Sequence, residues 1–195
     1  IENYPIYYLT GTIFWQLFSG ATNSAMTALI DNRTLLLKVK LPKQTFVLAR
    51  IYTALTNFGY TCIAYVLMLV VFQIKISPTL LLFPIDVFFC LLFSMGIGCV
   101  LSILYVFFED IKYLYSIVLT LWMYMSAIFY PYESTTLMMQ KVIGNNPVFV
   151  YIAFARDCVM YQKWPETDLW IKMILWGIVS FLIGYYVFSK KENNV

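Results

Sequence analysis

Five long stretches without a single Asp, Glu, Lys or Arg, at 3–30, 51–74, 87–108, 113–132 and 173–189, constrain this 195-residue chain more than any other feature. They are 28, 24, 22, 20 and 17 residues long. About 20 apolar residues, each rising about 1.5 Å, cross a hydrocarbon layer about 30 Å thick, so every stretch is long enough to span, the last only just. The expected fold is an all-α polytopic membrane protein, a single transmembrane domain over 1–195 with spans at about 5–30, 51–74, 82–108, 113–132 and 169–189. Only 12% of residues are charged, about half the roughly 25% of a soluble domain.

The few charges set the orientation. Between the first two spans, Arg33, Lys38, Lys40, Lys43 and Arg50 face a single acid, Asp31, and the tail carries Lys190 and Lys191. Short loops rich in Lys and Arg stay cytoplasmic, which places the connector 31–50 and the tail inside. Alternation then puts Lys75 outside, Glu109, Asp110 and Lys112 inside, and everything from 133 to 168 outside. On this orientation the first span starts outside, and Ile1 is not Met, so at least one further span with a cytoplasmic start is expected upstream.

Several chemistries lack the residues they need. There is no His, and Cys62, Cys90, Cys99 and Cys158 form no C-x-x-C pair, so no metal site, haem attachment or His-dependent catalysis is expected. A net charge of +3 without a basic run interleaved with aromatics gives no footprint for nucleic acid. No Gly-x-x-x-x-Gly-Lys occurs, so the chain does not cradle nucleotide phosphates itself.

Within the spans, Gly20, Ser24 and Ala28, and likewise Ser94, Gly98 and Ser102, form rows of small residues that let helices approach closely. Asp86 is either a proton or ion site or, since Pro84 suits a first helical position, a first-turn carboxylate at the outer rim that favours the helix dipole. The outer segment reads as two short helices dipping back into the membrane face, at about 134–143 and 147–161. Ser134 is the expected cap of the first and Gly144 its end, while Asn146 and Pro147 open the second. Arg156 and Asp157 close its apolar part, either pairing with other charges or marking the return to water.

The order of short motifs resembles the permease subunits of ABC-2 transporters that export polysaccharides, the group handling O-antigen, capsule and teichoic acid. The connector reads Asn32-Arg33-Thr34-Leu35-Leu36-Leu37-Lys38-Val39-Lys40-Leu41-Pro42, similar to that family's asparagine, leucine-lysine and phenylalanine-proline pattern. Phe107-Phe108-Glu109-Asp110-Ile111 resembles its aromatic-Arg-Asp-Ile motif, with Glu109 in place of Arg. Ser126-Ala127-Ile128-Phe129-Tyr130-Pro131 resembles its Ser-Pro-x-x-Tyr pattern, with Ala127 in place of Pro, a change expected to leave the fourth span straighter. Asn146-Pro147 followed by Ala155-Arg156-Asp157 matches its Asn-Pro to Arg spacing.

The resemblance implies six spans per subunit, of which the first is missing here. It also implies two external gate helices, a homodimer, and two copies of a separate ABC ATPase that binds ATP and Mg, with no cofactor on this chain. The chain is then not an enzyme. It is expected to move a lipid-linked polysaccharide or polyol phosphate polymer across the bacterial cytoplasmic membrane. Asn32, Arg33, Lys38, Lys40, Pro42 and Lys43 would couple to the ATPase, Glu109 and Asp110 form the inner-rim motif, and Asn146, Pro147, Arg156 and Asp157 belong to the gate. Tyr124, Phe129, Tyr130 and Tyr132 are candidates for the glycan path, because sugar C–H faces stack on aromatic rings; an aromatic belt at the membrane interface is the competing account. An ATP-independent secondary transporter or channel would want paired ionisable groups at mid-membrane, and a membrane-embedded glycosyl- or phosphotransferase a polar catalytic cluster. Neither is visible in the sequence.

Overall fold

The computed structural model describes residues 3–38, 42–75 and 77–191. Among them are eight α-helices and no strand: α1 (Tyr4–Asp31), α2 (Arg33–Lys38), α3 (Gln44–Val71), α4 (Phe83–Phe107), α5 (Ile111–Tyr124), α6 (Leu137–Gly144), α7 (Pro147–Val159) and α8 (Thr167–Lys191). The all-α architecture is as expected. Three stretches, Gln44–Val71, Pro78–Phe107 and Thr167–Lys191, are long and apolar enough to cross a membrane by length and composition. The second joins α4 to the 3-10 turn Pro78–Leu82 that leads into it.

Local chemistry explains most helix ends. Proline stands at the first or second position of α1, α4 and α7, where its missing N–H is unneeded and its φ already suits a helix. α1 stops at Asn32, whose side-chain amide donates to the Ala28 carbonyl at 2.7 Å. α3 begins at Gln44, seven residues before the uncharged run, so the second half of the connector is already helical. In α8, Asp168 occupies the first turn and Lys190 and Lys191 the last, both suiting the helix dipole.

α5 departs from expectation. The run 113–132 promised a 20-residue span, but the helix ends at Tyr124 after 14 residues, about 21 Å at 1.5 Å per residue. Ala127 takes φ +45°, the left-handed region. The helix is therefore broken at the segment where loss of a proline suggested a straighter span.

Two sets of hydrogen bonds define the ends of the bundle. Gln44 Nε2 donates to Ser189 Oγ at 3.3 Å, bringing the connector and the end of α8 together. At the other end, Tyr4 OH donates to Phe129 O at 3.0 Å and Gln162 Nε2 to Lys75 O at 2.8 Å. Thr79 Oγ1 donates to Cys158 O at 2.7 Å, fastening α7 over the start of α4. That cover corrects the placement of Asp86. It does lie in the first turn of α4, yet it is fully buried, and neither carboxylate oxygen has a hydrogen-bond partner.

α4 is the central helix, packed against α1, α3, α7 and α8. Its approach to α8 is backbone on backbone: a Cβ on Gly184 would run into the Gly96 carbonyl, and one on Gly96 into the backbone of Ser180. Against α1, a Cβ on Gly98 would meet that of Ala25 at 2.6 Å. Gly20, in the other row of small residues, has nothing within 4 Å among the described residues. Phe14, Phe18, Phe93, Tyr151 and Phe154 fill the core, with the Phe18 ring stacked on Phe93 at 5.5 Å. Gly184→Ala is expected to force α4 and α8 apart at a cost of about 1–3 kcal/mol, whereas Gly20→Ala should be neutral. Thermal unfolding of the two variants in detergent distinguishes them.

Candidate functional site: a broken helix clasped by Arg156 and Asn146

The break after α5 exposes a run of backbone carbonyls that no helix satisfies. In an apolar setting each unpaired group costs several kcal/mol, so its partners must come from elsewhere in the fold. Arg156 supplies partners for two of them. From α7, its Nη1 donates to Ala127 O at 3.0 Å, and its Nη2 to Ile128 O at 3.4 Å and to Tyr7 O at 3.3 Å. The guanidinium carbon lies 3.4 Å from the centroid of the Tyr7 ring. Arg156 is 3% exposed and has no carboxylate partner among the described residues, which answers the open question about its pairing. Burial pushes its pKa down to about 10, still well above neutrality, so the group remains a cation. Gly11 makes room: a Cβ there would stand 2.9 Å from Arg156 Nη2.

Two tyrosines of α1 complete the pairing. Tyr4 OH reaches Phe129 O, and Tyr7 OH donates to Tyr130 O at 2.9 Å with Ala127 O at 3.3 Å. The carbonyls of residues 127–130 are all engaged. No motif pointed to Tyr4 or Tyr7; the only signal available was their i, i+3 spacing at the head of α1, which also fits an interfacial belt.

Asn146 clasps the break from the other side. As the N-cap of α7 it accepts from Val148 N at 3.1 Å through Oδ1, and the same oxygen accepts from Trp122 Nε1 at 2.7 Å. Its Nδ2 donates to Met125 O at 3.0 Å and to Ser126 Oγ at 3.1 Å. A residue recognisable as a helix cap thus also locks α5 to α7. Asp157 points to the edge, where it pairs with Lys163 at 3.3 Å, and burial raises its pKa against the lowering effect of that lysine. The first external helix starts later than expected, since Thr136 holds its N-cap position and Ser134 lies in a separate 3-10 turn, donating to Pro131 O. The second ends at Val159 rather than 161.

The four aromatics proposed for a path are divided. Tyr124, Phe129 and Tyr8 form one row, with centroid separations of 5.8 and 5.7 Å, and Tyr130 OH donates to Tyr124 O at 2.7 Å. Tyr132 instead stacks on Phe149 at 4.9 Å and donates to Gln140 O at 3.0 Å. Tyr124, Tyr130, Met138 and Met139 border an apolar groove of about 720 Å³, whereas Tyr132 lines a charged cleft of about 270 Å³ beside Arg156 and Lys163.

At the connector end, Arg33 opens the short α2 and Lys38 closes it, both exposed. Pro42 is exposed ahead of Lys43, the N-cap residue of α3. Lys40 lies outside the described residues. Arg50 pairs with Asp31 at 2.9 Å, tying α3 to the end of α1. Glu109 and Asp110 are exposed in the turn between α4 and α5.

Arg156→Lys is expected to lose most of the clasp, because one ammonium does not reproduce the planar fork that serves carbonyls of two segments. Unpairing buried groups costs about 1–3 kcal/mol each, so a marked fall in unfolding temperature in detergent should follow. Ala127→Gly should raise it, by relieving about 1–2 kcal/mol of left-handed strain.

The family model for the ABC-2 type transporter matches residues 2–160. The chain is 32% identical over 203 residues to an O-antigen export system permease protein RfbA of Myxococcus xanthus, covering 100% of this chain and 75% of that protein. It is 23% and 24% identical to two proteins of the same description from Klebsiella pneumoniae, covering 97% of this chain and 73% of each. With the match running through the α1 tyrosines, the broken helix and the Asn146–Arg156 clasp alike, this chain belongs to the ABC-2 type transporter family.

Proposed function

We propose that the chain is the permease subunit of an ATP-driven exporter that moves a lipid-linked polysaccharide or polyol phosphate polymer outward across the bacterial cytoplasmic membrane. The observation that carries this reading is the similarity, over 97% or more of this chain and about three quarters of each relative, to permeases named for O-antigen export. Within it, the end of the bundle bearing the Arg156 clasp faces outward, and α6 and α7 form the external gate. Two copies build the conduit along their shared face.

Energy comes from two copies of an ABC ATPase that bind ATP and Mg; no phosphate-binding loop occurs in these 195 residues. The connector is the docking element. Its exposed cations Arg33 and Lys38 offer electrostatic attraction, and Asn32 holds the α1 end from which α2 departs. Pro42 sets the entry into α3. Glu109 and Asp110 lie in the α4–α5 turn, which this orientation also places in the cytoplasm.

Deleting the chain should abolish surface polymer, and an affinity-tagged copy should co-purify an ATPase. Replacing Asn32, Lys38 and Pro42 together is expected to lower export while leaving the protein inserted in the membrane. Unchanged export, measured by surface polymer per inserted protein, would remove the docking role.

A further inference from the structure

One buried acid serves neither the clasp nor the connector. Asp86, in the first turn of α4, is 0% exposed, and neither of its oxygens has a hydrogen-bond partner. It does not cap its own helix, since no first-turn N–H donates to it. Its enclosure is built from elements already packed together: α7 lies above, fastened to the 3-10 turn Pro78–Leu82 that leads into α4 by the 2.7 Å bond from Thr79 Oγ1 to Cys158 O. The carboxyl is sealed by the described residues themselves.

The surrounding groups offer no compensation. Cys90, one turn along α4, and Tyr151 and Cys158 of α7 are the titratable side chains within electrostatic reach, two thiols and a phenol that are uncharged at neutral pH. The hydroxyls are committed elsewhere: Tyr151 donates to Met173 O of α8 at 3.2 Å and Ser94 to Cys90 O at 2.8 Å. The 3-10 turn carries no titratable residue. At this end α1 and α3 bring Phe14 and Phe58 against Phe83, and on α8 Asp168 and Lys172 pair with each other at 2.7 Å. Arg156 stands about 160° around α7 from Cys158 and is engaged by the carbonyls of the break. Among the described residues no charge acts on Asp86.

An ionised carboxylate enclosed without a partner is among the costliest arrangements in an apolar interior, so the enclosed group is the neutral acid. Once water reaches it, the same group is an ordinary carboxylate, ionised above about pH 4. The two arrangements differ by one proton. We propose that Asp86 is a proton-binding site coupled to the joint between α7 and the start of α4. Parting of the Thr79–Cys158 contact admits water, the Asp86 O–H bond breaks and its proton passes to water on the outer side; closing takes one proton back. The proposal rests on the reading of α7 as part of the external gate. Because the proton leaves to and returns from the same side, the cycle carries no net proton across the membrane. Linkage fixes the sign: the closed joint holds the extra proton, so raising the outer pH favours the open joint, by up to about tenfold per pH unit, and acid holds it shut.

Cys158 reports on the joint, because its side chain is 1% exposed and is uncovered when α7 and α4 part. The test uses the full complex with its ATPase in proteoliposomes and follows labelling of Cys158 by N-ethylmaleimide, read on this chain by mass spectrometry, from about pH 6 to about pH 8. An uncharged reagent is not drawn in by the carboxylate, and dividing by the rate in Asp86→Asn removes the pH dependence of the thiol itself. That ratio should rise about tenfold or more across the range. Thr79→Val should label about fivefold faster at every pH, as expected for one lost hydrogen bond, with the pH slope retained. At pH 7 the infrared spectrum should carry a protonated-carboxyl C=O band that Asp86→Asn lacks. If Asp86→Asn does not accumulate, Asp86→Leu takes its place in both measurements. A flat labelling ratio, or no band assignable to Asp86, would overturn the proposal. The export reading fails separately, if deleting the whole chain leaves surface polymer unchanged.

Discussion

The guanidinium of Arg156 is the group on which the arrangement of the clasp end depends. An α-helix satisfies its own backbone, which is why it can lie in an apolar medium; a break does not, and the carbonyls it releases have to be paired. Here a single buried cation pairs two of them, Ala127 O and Ile128 O, and adds the Tyr7 carbonyl of α1. Asn146 pairs Met125 O, two residues before Ala127. Remove these donors and α5 has no reason to stop at Tyr124, nor α7 to return against α1. Among the described residues no acid neutralises the charge; carbonyl dipoles and the face of the Tyr7 ring stabilise it.

The long helices divide the remaining work. α4 is hidden among its neighbours and touches α8 through Gly96 and Gly184, a contact only glycine backbones permit. α3 turns Ile63, Val66, Leu67 and Val70 outward, an apolar face suited to lipid. α1 has two characters. One side carries Phe14, Phe18, Ala21 and Ala25 into the core, and the other carries Gln16 and Asn23 into the open.

Much of the fold was legible because charge is so costly in hydrocarbon that its absence is informative over 20 residues. The rows of Lys and Arg between the runs, the Asn-Pro start of α7 and the glycine closing α6 were likewise readable from local chemistry. The break at 125–131 was not, since the residues there are as uncharged as a helix would be, and the motif comparison, by noting a missing proline, pointed the wrong way. Ala127 adopts a positive φ because Arg156 and Tyr7 hold its carbonyl, and nothing in the local sequence announces that. Asp86 shows the same limit: its place in the first turn follows from Pro84, but its burial follows from α7 lying above it.

By itself the sequence determined that this protein is a bundle of apolar helices with a basic connector and two short helices ahead of the last long one, because hydrophobic run length, caps and charge placement act locally and additively. Only the tertiary structure decided where the fifth helix ends, that Arg156 binds backbone rather than an acid, and that Asp86 is enclosed beneath α7. Each of these depends on groups far apart in the chain, Tyr7 and Ala127 being 120 residues distant, and a hydrogen bond between such groups exists only once packing has brought them to within about 3 Å.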